Sequence, residues 1–117
     1  MQARFPGVAV TYHRADFTQA LSLPALDGVV MANALHFVRH GAAQRALVEK
    51  IRGYLKPEGR LLLVEYDTDR GNRWVPNPLS FSSWQKLAGE CGFDSTCLLA
   101  SRPSRFLGGI YAAMSLV

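Results

Sequence analysis

Tyr54-Leu-Lys-Pro-Glu-Gly-Arg60-Leu-Leu-Leu-Val-Glu65 compresses a helix end, a breaker and a strand into one short run. Pro57-Glu-Gly59 cannot continue a helix, because proline lacks the N–H and glycine resists the conformation. Arg60-Leu-Leu-Leu-Val-Glu65 is apolar without alternation, the pattern of a strand covered on both faces. Just upstream, from Gly41 to about Lys56, Ala43, Leu47, Ile51 and Leu55 stand four apart, with Val48 and Tyr54 widening the stripe. That spacing predicts an amphipathic helix. Further upstream, Gly28-Val-Val-Met-Ala32 is a second continuous apolar run, followed by Leu35-His-Phe-Val38. Two buried strands separated by an amphipathic helix predict a parallel pair with a crossover.

Downstream, a polar loop with prolines runs from Asp67 to Leu79. Ser80 is placed to cap a helix in which Phe81, Trp84, Leu87, Ala88 and Cys91 share a side, and Gly92 stands where a left-handed stop belongs. Thr96–Ala100 and Gly109–Val117 are two further strands. Their connector, Ser101-Arg-Pro-Ser-Arg-Phe106, is too long for a two-residue turn. With no helix between them they must run antiparallel, so the sheet is mixed. Toward the amino terminus, Val8-Ala-Val-Thr-Tyr12 follows the Pro6-Gly7 breaker and predicts another strand. The expected architecture is a single α/β domain over residues 1–117.

The composition fits that expectation. Of 117 residues, 49% are hydrophobic and 19% charged, the balance of an ordered globular chain. The net charge of +4 is spread over scattered positions (Arg4, Arg14, Arg39, Arg45, Lys50, Arg52, Lys56, Arg60), without a basic run interleaved with aromatics. Nucleic-acid binding is therefore not expected. Nothing approaches the roughly 20 apolar residues of a membrane span, and Met1-Gln-Ala-Arg-Phe-Pro6 carries no apolar signal core, so a cytoplasmic setting is expected. Cys91 and Cys97 show no metal-ligand spacing, and both are expected as small core residues in a reducing compartment.

Four words, in this order and spacing, resemble the carboxyl-terminal half of the class I S-adenosylmethionine-dependent methyltransferases. They are Ala15-Asp16-Phe17, Leu26-Asp27-Gly-Val-Val-Met-Ala-Asn33-Ala-Leu-His36, Tyr54-Leu-Lys-Pro-Glu-Gly-Arg60-Leu-Leu-Leu-Val-Glu65 and Leu87-Ala-Gly-Glu-Cys-Gly-Phe93. The family has a Rossmann-like sheet of strand order 3-2-1-4-5-7-6, with the seventh strand antiparallel. The resemblance makes Val8–Tyr12 its third strand, Gly28–Ala32 its fourth, Arg60–Glu65 its fifth, and the last two segments its sixth and seventh. It also implies site residues. Asp16 would accept from the adenine amino group and Phe17 would pack on the ring. Asn33 and Ala34 would lie under the sulfonium, and His36 is the candidate general base. Tyr66, Arg70 and Trp74, at the end of the fifth strand and in the loop beyond, would help shape the acceptor pocket. No metal is implied.

The family's Gly-x-Gly-x-Gly loop and the acidic residue that binds the ribose are both missing from these 117 residues. If each supplies about 2–3 kcal/mol, their loss lowers donor affinity by roughly three to four decades. The expectation is a truncated, methyltransferase-like chain that is inactive as a monomer. The gap left beside the fourth strand, about 14 Å wide from ~4.8 Å spacings, exposes an edge that invites pairing. A homodimer through that edge, or through a swapped amino-terminal strand, is expected. Two alternatives keep the fold but change the role. One is a small-molecule methyltransferase completed by a partner chain or the dimer mate. The other is an interaction module that binds proteins along the sheet edge, at Val29 and Met31.

Overall fold

The computed structural model of the chain describes residues 7, 9–105 and 107–117. Strand β1 (Leu26–Ala32) leads through a short 3-10 turn (Leu35–Phe37) into helix α1 (Ala42–Tyr54), which runs directly into β2 (Leu55–Tyr66). A long loop reaches helix α2 (Phe81–Glu90), and β3 (Ser95–Pro103) and β4 (Gly109–Leu116) close the chain. The sheet order is β1-β2-β4-β3, with β1 and β2 parallel and the other two pairings antiparallel. This is the mixed α/β sheet expected, in the 4-5-7-6 order the resemblance implies.

The breaker works differently from its expected form. Leu55 pairs with Leu26 as soon as α1 ends, and Lys56-Pro-Glu-Gly59 bulges out before Arg60 pairs with Gly28. Glu58 takes a positive φ of 66° within that bulge. Helix α2 follows its sequence signals closely. The Ser80 hydroxyl accepts from the Ser83 N–H at 3.3 Å, and Gly92, at φ 102°, lets the Phe93 N–H reach back to the Ala88 carbonyl at 3.0 Å.

One core joins both helices to one face of the sheet. Leu47, Val48 and Ile51 of α1 and Trp84, Ala88 and Cys91 of α2 pack with Met31, Leu61, Leu63, Tyr111 and Ala113. The alternate strand residues point the other way. Val30, Leu62, Val64, Ile110, Ala112, Met114 and Leu116 are half-buried or exposed, and among the described residues no helix covers them. The apolar runs of β1 and β2 are thus buried on one face here, not on both as the sequence pattern predicts. Burial of the second face needs a second layer, and the described residues hold none.

Three further expectations are corrected. Ala9–Tyr12 form no strand, and Val8 lies outside the described residues. The outer edge of β1 carries no neighbouring strand among the described residues. Of the expected helical stripe Leu47, Val48, Ile51 and Leu55 are buried, but Ala43 is exposed and Gln44 is buried in its place. Cys91 is a core residue, whereas Cys97, on the edge strand β3, is exposed.

Candidate functional site

Parallel register brings the carboxyl ends of β1 and β2 side by side. Ala32 pairs with Val64, and the Asn33 N–H donates to the Val64 carbonyl at 3.0 Å. The chain then turns at Asn33, whose φ of 53° is one that asparagine tolerates better than most residues. The 3-10 turn that follows buries Leu35 and His36 to 1% and 3% exposure. Across from it, Glu65 is fully buried at the end of β2, on the helix-covered face.

Three N–H donors converge on that carboxylate. Glu65 Oε1 lies 2.7 Å from His36 Nδ1 and accepts from the Tyr66 N–H at 2.8 Å, while Oε2 accepts from the His36 N–H at 3.1 Å. The carboxylate acts only as an acceptor toward these groups, so Nδ1 carries a hydrogen, and in the neutral imidazole that leaves the lone pair on Nε2. No described residue pairs with Nε2. Two rings lie near the imidazole, Phe37 at 4.4 Å and Tyr66 at 6.0 Å. A buried base, oriented by a carboxylate and with its second nitrogen free, can take a proton from a hydroxyl or amine brought to it.

The surrounding loop is tied to this pair. The Asn77 N–H donates to the His36 carbonyl at 2.9 Å, and the buried Gln44 amide donates to the Val38 and Asn77 carbonyls, each at 3.0 Å. Gln44 therefore joins α1, the 3-10 turn and the loop after β2. The Tyr111 hydroxyl donates to the Leu79 carbonyl at 2.7 Å. Burial, with the Glu65 charge beside it, drives the Tyr111 pKa far up, so the phenol stays a donor. Asp67 and Asp69 then clasp the start of α2: Asp67 accepts from the Phe81 N–H at 2.8 Å, and Asp69 from the Ser80 N–H and hydroxyl at 3.0 Å each. Burial opposes the Asp69 charge, but these Ser80 and Ser83 hydrogen bonds, with His40 nearby, outweigh it and lower the pKa.

The expected site residues divide into three groups. His36 and Tyr66 come together. Arg70 and Trp74 stand on the exposed surface of the loop, where Arg73 lies 5.7 Å over the Trp74 ring. The Asn72 carboxamide fixes that loop by accepting from the Trp74 and Val75 N–H groups at 2.8 Å each. On the donor side, Phe17 and Ala34 line an apolar cleft of about 370 Å³ with Leu21, Leu23, Val30 and Ala32. Asp16 turns to its own loop, accepting from the Thr18 hydroxyl at 2.6 Å and N–H at 2.9 Å, and these bonds lower its pKa. Asn33 is exposed and outside the cleft lining. The segment is pinned to α1, because Tyr54 Oη accepts from the Leu21 N–H at 2.9 Å and Lys50 donates to the Thr18 carbonyl at 2.6 Å. Glu65 and Gln44 escaped sequence reasoning as site residues. A lone carboxylate ending an apolar strand was the one signal for Glu65.

No family model and no curated protein matches the sequence. Solved structures do. Human N-acetylserotonin methyltransferase in complex with S-adenosylmethionine shares 20% identity at a TM-score of 0.65, covering 89% of this chain and 32% of its own. The N-methyltransferase NodS from Bradyrhizobium japonicum, in complex with S-adenosylhomocysteine, gives 15% and 0.66, covering 98% and 58%. An S-adenosylmethionine-dependent methyltransferase from Mesorhizobium loti gives 15% and 0.67, covering 99% and 74%. This chain thus spans from about a third to about three quarters of the length of these neighbours. Its fold is that of part of a class I methyltransferase.

Proposed function

We propose that this chain is the acceptor-side half of an S-adenosylmethionine-dependent methyltransferase, in which His36 is the general base and Glu65 orients it. Its 117 residues do not by themselves hold the donor tightly enough for turnover. The observation that carries the proposal is the buried His36–Glu65 pair at the carboxyl ends of parallel strands, the crevice side of such sheets.

The donor site is incomplete on this chain. The Phe17–Ala34 cleft offers an apolar wall to a ring, but the Asp16 carboxylate is engaged by Thr18 and no Gly-x-Gly-x-Gly loop is present. The chain's own contribution is on the acceptor side. His36 Nε2 accepts the acceptor's proton, and Glu65 stabilises the resulting imidazolium while preserving the tautomer. The Phe37 and Tyr66 rings lie near the imidazole. Completion by a partner chain, or by a dimer mate, would supply the missing donor grip. The free thiols of Cys91 and Cys97 suit a reducing, cytoplasmic setting for this role. Among the described residues, no helix is long and apolar enough to cross a membrane.

Calorimetric titration of the purified chain with S-adenosylhomocysteine tests the incomplete grip. Heat without saturation through the micromolar range is expected. Saturable micromolar binding by the chain alone would overturn the proposal.

The exposed edge of β1 favours a second reading, in which two copies associate along it. Val30 is 68% exposed there, and its backbone side away from β2 carries no strand among the described residues. Met31 is buried and Val29 packs against the core, so Val30, and not the expected Val29 and Met31, is the residue that reports on the edge.

A further inference from the structure

We infer that Phe37 is a stacking platform which selects planar aromatic acceptors and presents their hydroxyl or amine to His36 Nε2. The inference rests on the proposed role of His36 as base, and it adds the acceptor class. Phe37 is 63% exposed, although it belongs to a short turn whose two preceding residues are almost fully buried. Its backbone is held, since the Phe37 N–H donates to the Ala34 carbonyl at 3.2 Å. The ring is therefore presented by a fixed turn.

Its position relates it to the base. The Phe37 ring centroid is 4.4 Å from the imidazole at a tilt of 55°, and the Tyr66 ring centroid is 6.0 Å from it at 54°. His36 is 97% buried by its 3% exposure, Nδ1 is taken by Glu65, and Nε2 is the polar atom left for a ligand. An exposed aromatic ring next to an imidazole nitrogen that no described residue pairs with offers two kinds of contact together. The ring face takes another π system by offset or edge stacking, and the nitrogen takes a hydrogen bond from a substituent on that ring. A flexible aliphatic acceptor would gain the hydrogen bond but lose the stacking geometry.

The test uses the isotope-labelled chain alone, titrated with phenol, 5-hydroxyindole and cyclohexanol and followed by amide and imidazole chemical shifts. Phenol and 5-hydroxyindole are expected to move His36, Phe37 and Tyr66 together, with cyclohexanol roughly tenfold weaker. Phe37→Ala should weaken the aromatic probes by about tenfold and Phe37→Trp should retain them, with unchanged amide dispersion showing that both variants fold. Equal binding of cyclohexanol and phenol, shifts that map elsewhere, or an unaltered titration in Phe37→Ala would each overturn the inference. The same spectra report the imidazole tautomer separately. Hydrogen on Nε2 instead of Nδ1 would remove the proposed base, whereas the correct tautomer with an indifferent Phe37 would remove only the platform.

Discussion

The sheet has two edge strands, β1 and β3, and they are built to opposite specifications. β3 is irregular: its register shifts between Leu98 and Ala100, it ends in Arg102-Pro103, and nearly all of it is exposed. A bulge, a charge and a proline are the devices that keep an edge from recruiting another strand. β1 has none of them over Gly28–Ala32. Its pairing with β2 is in regular register there, its residues are apolar, and Val30 stands exposed. The two edges thus differ in chemistry: β3 carries these devices and Gly28–Ala32 does not. The buried polar groups differ as well: the His36–Glu65 pair lies on the β1–β2 side, and the Thr96 and Ser115 hydroxyls pair at 2.7 Å on the β3–β4 side.

The largest effect should come from breaking the polar centre of each side in turn. Glu65→Ala leaves three N–H groups without their acceptor and is expected to cost about 3 kcal/mol of stability. Thr96→Ala should cost about 1 kcal/mol, both read from urea unfolding. Equal losses would mean that the two sides are energetically alike.

The edges themselves are compared by adding the same charge to each. If copies pair along β1, Val30→Lys should weaken association by roughly tenfold or more in multi-angle light scattering, and Leu98→Lys on β3 should change little. A monodisperse monomer of the unaltered chain at micromolar concentration would end the dimer proposal.

The smallest effect concerns the loop that links the two sides. The Asp69 pKa is lowered in the folded chain, so its contribution is present above the unfolded value and is lost as pH falls through the folded one. Acidification below about pH 4 should therefore loosen the start of α2, seen as faster exchange of the Ser80 and Phe81 amides, by a few tenths of a kcal/mol for so exposed a group. Protection that rises on acidification would contradict the assigned clasp.

Local signals carried much of this structure. The stripes of α1 and α2 were legible because helical spacing repeats within a few residues, and the cap at Ser80 and the stop at Gly92 are chemistry of adjacent positions. The resemblance placed His36 just past the end of one apolar strand, and Tyr66 closes the next. The errors fall where a partner lies far along the chain. Ala43 and Gln44 differ by one helical step, and only the Val38 and Asn77 carbonyls decide that the amide turns inward. Val8–Tyr12 has strand chemistry, but Ala9–Tyr12 are not in strand conformation, and that choice is not made by local sequence.

The amino-acid order by itself determined both helices, the four strands of the sheet and the antiparallel return of the last two. Which carboxylate holds His36 was decided only in three dimensions. Ala32 sits opposite Val64 in the parallel register, and this sets the next residues of each strand side by side although His36 and Glu65 are 29 positions apart. Spacing rules act over a helical turn or a pleat, whereas register is a property of two strands together, set by how both bury their side chains against the same helices.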